Sequence, residues 1–391
     1  MSAIDAAIDA VLRSQPLIRE ISSFQDGWFE DALIFLPLRH LDQALGNCNV
    51  DGQTSLVKAT AARLVPWLNS TPTPRLSRLV ASTPSIKLPL LLALVYLGRL
   101  DQLDFLFDKC YDDALGLGWL SMAVGLGGSL PTVHFFVNRG YDVSQAIVSA
   151  AGAGCADVVE YFERQSRHTN VVLVGRALVR AAQHNHVVIV RRLITSTVPS
   201  HFVADAIKWM AEWDETDTVL YMLTTQQTAN EAIRWEALAA ALNMGVYFGR
   251  TSLVASLLND NNDMAYMPAS VLDIEHAVTT GHLEVLHLIY AKNVPPRDGG
   301  AKHPRASMWK QQWRHGVPHA SRQGWLPMVQ WFLTTQPPTE TDDEDTLRVA
   351  VEGARDGGHG HVVDWLVGQL RSLEQKEVRA SGRDSSKVKN G

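Results

Sequence analysis

Apolar residues in this chain fall into short blocks that recur. In Ala277-Val-Thr-Thr-Gly281-His-Leu283-Glu-Val-Leu286-His-Leu288-Ile289, a small residue stands four positions before a glycine. Apolar residues then follow the glycine at +2, +5, +7 and +8. Ala320 to Phe332, around Gly324, and Ala150 to Phe162, around Gly154, carry the same shape, and Asn185 fills the glycine slot ahead of Val187, Val190 and Leu193. Weaker copies surround Gly98, Gly128, Asp214, Gly249 and Gly358. From Gly98 to Gly358 the mean step is 32.5 residues, with one long step of 43 between Gly281 and Gly324. A period in this range marks a repeat architecture.

The spacing has a direct physical reading. A glycine or asparagine in left-handed geometry ends a short first helix at low cost. Apolar residues at +2, +5 and +8 would line one face of a second helix. Two short helices cannot cover that face by themselves, so stacked neighbours must bury it, at about 1.5–3 kcal/mol per large side chain. The pattern therefore predicts an all-α chain built as a helical repeat solenoid over residues 85–370.

A small residue, a glycine four later, then His-Leu-Glu-Val-Leu at a step near 33 resembles the ankyrin repeat, most closely at Gly281. The resemblance covers residues 85–370 as about nine degenerate repeats of the kind found in lineage-specific arrays. It implies an ankyrin-type solenoid that binds a protein through its concave face. The Thr-Pro-Leu-His opening of that family is missing; Leu272-Asp-Ile-Glu275 stands in its place, which predicts shortened or irregular inter-repeat loops. The tetratricopeptide signature is absent, and HEAT repeats run longer.

Residues 1–84 lack the motif and are expected to form a helical N-terminal cap. Ile4, Ile8, Val11 and Leu12 make a helical stripe, and Asn69-Ser-Thr-Pro-Thr-Pro74 separates this region from the array. Pro16-Leu17-Ile18, Ile21, Phe24 and Phe35-Leu-Pro-Leu38 faintly resemble an F-box. That resemblance implies an alternative role as a ubiquitin-ligase substrate receptor; a plain capping helix pair is the simpler reading. The long step holds an insertion at 292–319. There Lys292, Arg297, Lys302, Arg305, Lys310 and Arg314 face Asp298 alone, with Trp309 and Trp313 spaced for one helical face. It reads as a solvated insertion with tryptophans folded back on the stack, or as a grip on RNA or phosphate. Pro337 to Asp345 reads as an acidic loop, and 371–391 as a disordered polar tail.

Charge and composition narrow the function. The chain has 391 residues and a formal net charge of -6, so no global basic field draws nucleic acid or an anionic membrane. The three cysteines, Cys48, Cys110 and Cys155, are far apart, which favours a reducing cytoplasmic setting, with the nucleus also open. Ala114 to Asn138 carries no formal charge, but five glycines and Pro131 interrupt it, and it falls in register with the repeat. No membrane span is expected. There is no P-loop, GxGxxG after a strand, GxSxG, HExxH or CxxC motif. Expected are a non-enzymatic protein-binding monomer, no cofactor and no metal. The recurrence of His186, His282 and His359 one residue after a marker is explained by the repeat itself. Aromatic side chains carry much interface energy, so the candidate contacts are Trp325, Trp209, Trp213, Trp309 and Trp313. Trp235 is a weaker one. Trp331 and Trp365 fall in core slots.

Overall fold

The computed structural model describes residues 34–38, 40–71, 73–110, 117–165, 170–195, 197–225, 231–260, 275–293, 304–335 and 341–387. Among these the regular structure is helical, with 21 α-helices and no strand. The chain divides into two compact units, Met1–Phe202 and Val203–Gly391.

In the first unit, α1 (Leu41–Asn47) precedes the long α2 (Val50–Ser70), α3 (Thr73–Ser82), α4 (Lys87–Tyr96) and α5 (Leu100–Cys110). Then come α6 (Leu117–Gly127), α7 (Leu130–Asn138), α8 (Ala146–Ala153), α9 (Ala156–Gln165), α10 (Val171–Gln183) and α11 (Val187–Leu193). Two rows result. First helices stack in the order α2, α4, α6, α8, α10, and second helices in the order α3, α5, α7, α9, α11. The pair α2/α3 thus extends both rows ahead of residue 85.

The second unit contains most of α12 (Ser200–Glu212), with α13 (Thr216–Thr225), α14 (Glu231–Tyr247), α15 (Thr251–Asp260), α16 (Glu275–Thr280) and α17 (Leu283–Asn293). It ends with α18 (Pro304–Arg322), α19 (Leu326–Thr335), α20 (Thr341–Asp356) and α21 (Gly360–Lys387). Here α14, α16, α18 and α20 stack as first helices.

One backbone device closes the first helices. Gly98, Gly128, Gly154, Asn185, Asp214, Gly249, Gly281, Gly324 and Gly358 all have φ between 57° and 83°. The amide after the marker donates to the carbonyl four residues before it: Cys155 N to Ala150 O (2.9 Å), His186 N to Ala181 O (2.8 Å), His282 N to Ala277 O (2.9 Å) and Trp325 N to Ala320 O (2.9 Å). This is the left-handed closure that satisfies carbonyls otherwise orphaned at a helix end. The small residue four before the marker is explained too. Ala150, Ala181, Ala277, Ala320 and Ala354 are fully buried between neighbouring first helices, where larger side chains would hold the helices apart. At Gly125, Gly127 and Gly357 the approach is close: an added Cβ would collide with the carbonyl oxygens of Ala146, Tyr96 and Arg322.

The buried stripe of the second helices differs from the expected one. Positions +4, +5 and +8 are buried, as in Ile189, Val190 and Leu193, or Met328, Val329 and Phe332. Positions +2 and +7 are only half-buried at Leu283, Leu288, Leu326, Trp331 and Trp365. At about 100° per residue, +4, +8 and +5 share a narrow arc, and +2 and +7 lie outside its edges. Trp331 and Trp365 are therefore rim residues, not core residues.

Three further expectations are corrected. The segment from Pro304 is not a loop: it belongs to α18, a full first helix of the stack, while 294–303 lie outside the described residues. The acidic run is not all loop: α20 begins at Thr341. The tail is helical to Lys387. Most of the F-box-like stretch, the Ile4 to Leu12 stripe and residues 337–340 of the acidic run lie outside the described residues. Phe35 is described, and it is buried edge-on against Trp67 with ring centroids 5.1 Å apart. No described helix is long and apolar enough to cross a membrane.

Candidate functional site

The residue after the marker has a recurring role in several repeats: it reaches back to the preceding repeat. His186 Nε2 lies 3.1 Å from Gly152 O, and His282 Nε2 lies 3.1 Å from Tyr247 O. Arg250 does the same with a guanidinium, its Nε donating to Ala211 O (3.2 Å) and its NH2 to Glu212 O. Each side chain caps a carbonyl at the end of a neighbouring first helix, the group most in need of a donor. The ring also lies over the neighbour's glycine. A Cβ added at Gly154 would stand 2.7 Å from His186, and one at Gly324 2.6 Å from His359. These side chains act as fasteners between repeats.

Trp325 occupies this slot, and a Cβ at Gly281 would stand 2.8 Å from its Cε2. One face of the indole therefore leans on the preceding turn, and 40% of the residue remains exposed. Trp213, beside the Asp214 turn, is 48% exposed, and Trp209 is half-buried. Trp235 is also half-buried. The side chain of Trp309 lies outside the described set. Trp313 is a correction: it is 3% exposed, and its indole N–H donates to Phe332 O at 3.0 Å. Satisfied and buried, it fixes α18 to α19 and presents nothing to a partner.

In the first unit, the turn edge of the stack is already covered by α2. Near its C-terminus, Asn69 accepts from Arg99 and Leu68 O accepts from Gln102 Nε2 (3.4 Å). Farther back, Lys58 bears electrostatically on both Cys155 and His184. At its N-terminus, Asp51 pairs with Arg180 at 2.8 Å and faces His184 Nε2 at 3.6 Å. From Asp51 to Asn69 the helix runs about 27 Å, along the turns of successive repeats. The Arg180 hydrogen bond holds the Asp51 carboxyl below its ordinary range. Burial, with Arg180 beside it, holds His184 below the usual imidazole value.

In the second unit, the first-helix row carries a continuous strip of exposed polar and aromatic groups. Tyr247 of α14 meets His276 of α16 edge-on at 5.8 Å. Glu275 of α16 lies 3.9 Å from His319 of α18. Beyond His319 a cavity of about 260 Å³ opens between α18 and α20, bordered by Arg314, His315, Arg322 and the 53%-exposed Val349. A second cavity of similar size lies in the first unit, bordered by Ile147, Val174, Arg192 and Val198. There the cation is already neutralised, because Arg192 pairs with Glu160 (2.8 Å) and with Glu163.

No family model, curated protein or solved structure matches this chain. Among the described residues, no group of three or more histidines, cysteines or carboxylates could hold a metal ion. The histidines that recur in the sequence, His186, His282 and His359, are held apart in separate repeats as fasteners. The strip itself was not legible beforehand. Tyr247, His276, His315 and Val349 occupy first helices, where the repeat motif is weakest. Their only sequence signal is their place before a marker.

Proposed function

We propose that this chain is a divergent ankyrin-like repeat scaffold that binds a protein partner and does not itself catalyse a reaction. The binding face is the first-helix row of the second unit. The observation that carries this reading is the strip from Tyr247 through Glu275, His276 and His319 to Val349, joined by two side-chain contacts and the cavity that His319 and Val349 both border. It lies on helices clamped by buried alanines and left-handed closures, so its groups are preorganised and little entropy is lost on binding. Tyrosine and arginine in such a strip are the residue types that dominate interface energy. Of the tryptophans first considered, Trp325 and Trp213 remain exposed enough to contribute.

The test is capture of a partner from the native cell by the full chain, compared with surface variants. Tyr247→Ala together with His276→Ala is expected to abolish capture while leaving the thermal unfolding curve of the chain in place. Phe105→Ala, on an exposed second-helix position of the first unit, is expected to leave capture intact. Capture lost through Phe105→Ala but not through the strip variants would move the binding face elsewhere.

A further inference from the structure

We infer that the turn edge of the second unit takes an amphipathic α-helix of a protein partner, laid across four successive repeats. This rests on the scaffold reading above and assigns the form of the ligand. The first unit already shows such an arrangement, with α2 as the occupant. There α2 meets the residues that flank the markers. Gln183 Nε2, two before Asn185, donates to Asp51 at 3.5 Å, and His184, one before it, faces Asp51 at 3.6 Å. Arg99, one after Gly98, donates to Asn69, and Cys155, one after Gly154, lies within the electrostatic reach of Lys58. Between these contacts α2 runs from the Gly98 turn to the Asn185 turn, past the markers Gly128 and Gly154. Its buried face includes Val57, Ala61, Leu64 and Leu68, the spacing of an amphipathic helix.

The second unit carries aromatic side chains at these same places. Tyr247 stands two before Gly249, Trp213 one before Asp214, and Trp325 one after Gly324; they are 42%, 48% and 40% exposed. Among the described residues of the first unit, no exposed large hydrophobic side chain stands at these positions. The fasteners set the turns of the second unit in order. Arg250 reaches Ala211 O beside the Asp214 turn, His282 reaches Tyr247 O beside the Gly249 turn, and Trp325 leans on Gly281. The three rings therefore lie along four linked turns, as many as α2 meets. A helix laid as α2 is moves about 9 Å per repeat, close to two of its own turns, so about 20 residues with one apolar face reach all four. Large rings half open to water suit the apolar face of a docked helix as anchors. Asp214 and Glu275 are exposed on the same edge, which opposes a phosphate backbone.

The experiment uses the full chain and two displayed peptide libraries of equal size. In one, apolar residues are fixed at the spacing of Val57, Ala61, Leu64 and Leu68 within about 20 positions. In the other, a proline at every fifth position prevents a helix. The helical library is expected to be the one enriched on the chain. Its best clones, made as synthetic peptides, should gain helical circular dichroism on binding. Trp213→Ala combined with Tyr247→Ala should weaken them about tenfold or more. Trp325→His installs the residue found after Asn185, Gly281 and Gly358, which keeps the stack fastened, and it should weaken them as well. Tyr221→Ala, exposed on α13, should change nothing. The inference is overturned if the proline library is enriched instead, if neither library is, if the clones bind without gaining helix, or if they ignore all the ring variants and so bind elsewhere, as by replacing α2. Partner capture that depends on Tyr247 and His276, with only the proline library enriched, would remove the helix and leave the scaffold standing.

Discussion

Single residues carry two kinds of constraint here, backbone sign and charge. Asn185 and Gly249 share left-handed geometry, but their neighbours differ. Gly249→Ala adds both the cost of φ > 0 and a collision with the His282 ring. A loss of about 2 kcal/mol or more is expected by urea unfolding, since the left-handed term alone is about 1–2 kcal/mol. Asn185→Gly should leave stability within a few tenths of a kcal/mol, because asparagine already tolerates that geometry and glycine adds only backbone entropy in the unfolded chain. Charge acts at Asp51 and His184. Both have folded values below their ordinary ones, so both contribute stability that is complete above the unfolded value and lost as pH falls. His184 begins to act below the ordinary imidazole range, and Asp51 at lower pH. Melting temperature should fall on acidification, and Asp51→Asn should flatten the lower-pH part of that fall while lowering stability at neutral pH. An acid profile unchanged in Asp51→Asn would show that the α2–α10 contact is not maintained in solution.

Helices meet through a few close approaches and a few large anchors. Trp313, buried and bonded to Phe332 O, holds α18 against α19. Trp313→Ala is expected to cost roughly 3–5 kcal/mol. Trp331→Ala should cost clearly less, because that ring is half-buried between His287, Tyr290 and Phe332. Equal costs in denaturant titrations would undo this assignment of core and rim. Gly125→Ala would push α6 off α8 and is expected to cost about 1–3 kcal/mol, despite the better helix propensity of alanine. Much of this was legible beforehand. The marker column was readable because it obeys a local backbone rule, and the small residue ahead of it because it recurs at a fixed place in the repeat. The division between buried +4 and half-buried +7 was not, because apolar character at +7 is compatible with either a core or a rim. The burial of Trp313 fits the reading of tryptophans folded back on the stack; what stayed hidden is that its segment is a helix of the first row, because a local excess of basic residues made it look like a solvated loop.

Across the molecule, packing is dominated by successive helices within each unit. Stability in such a stack is close to a sum of repeat and neighbour terms. Urea unfolding followed by far-ultraviolet circular dichroism and by tryptophan fluorescence is therefore expected to give curves that do not coincide; a single shared two-state transition would contradict this. A tie between positions far apart in sequence joins Asp51 of α2 to Arg180 of α10. It had no signature in the sequence, since neither residue belongs to a motif and the two lie far apart along the chain.

What the amino-acid order determined by itself is the helical class, the places where first helices end, and the absence of familiar catalytic motifs. These follow from local rules: where an L-residue resists left-handed backbone, and which spacings share a helix face. What only the tertiary structure decided is which side chains face water. Trp313 went inside and Tyr247 stayed out, the post-marker histidines became fasteners, and four nitrogen-bearing side chains converged on one cavity. Exposure is a property of neighbouring helices, and no single helix contains the information about what will cover it.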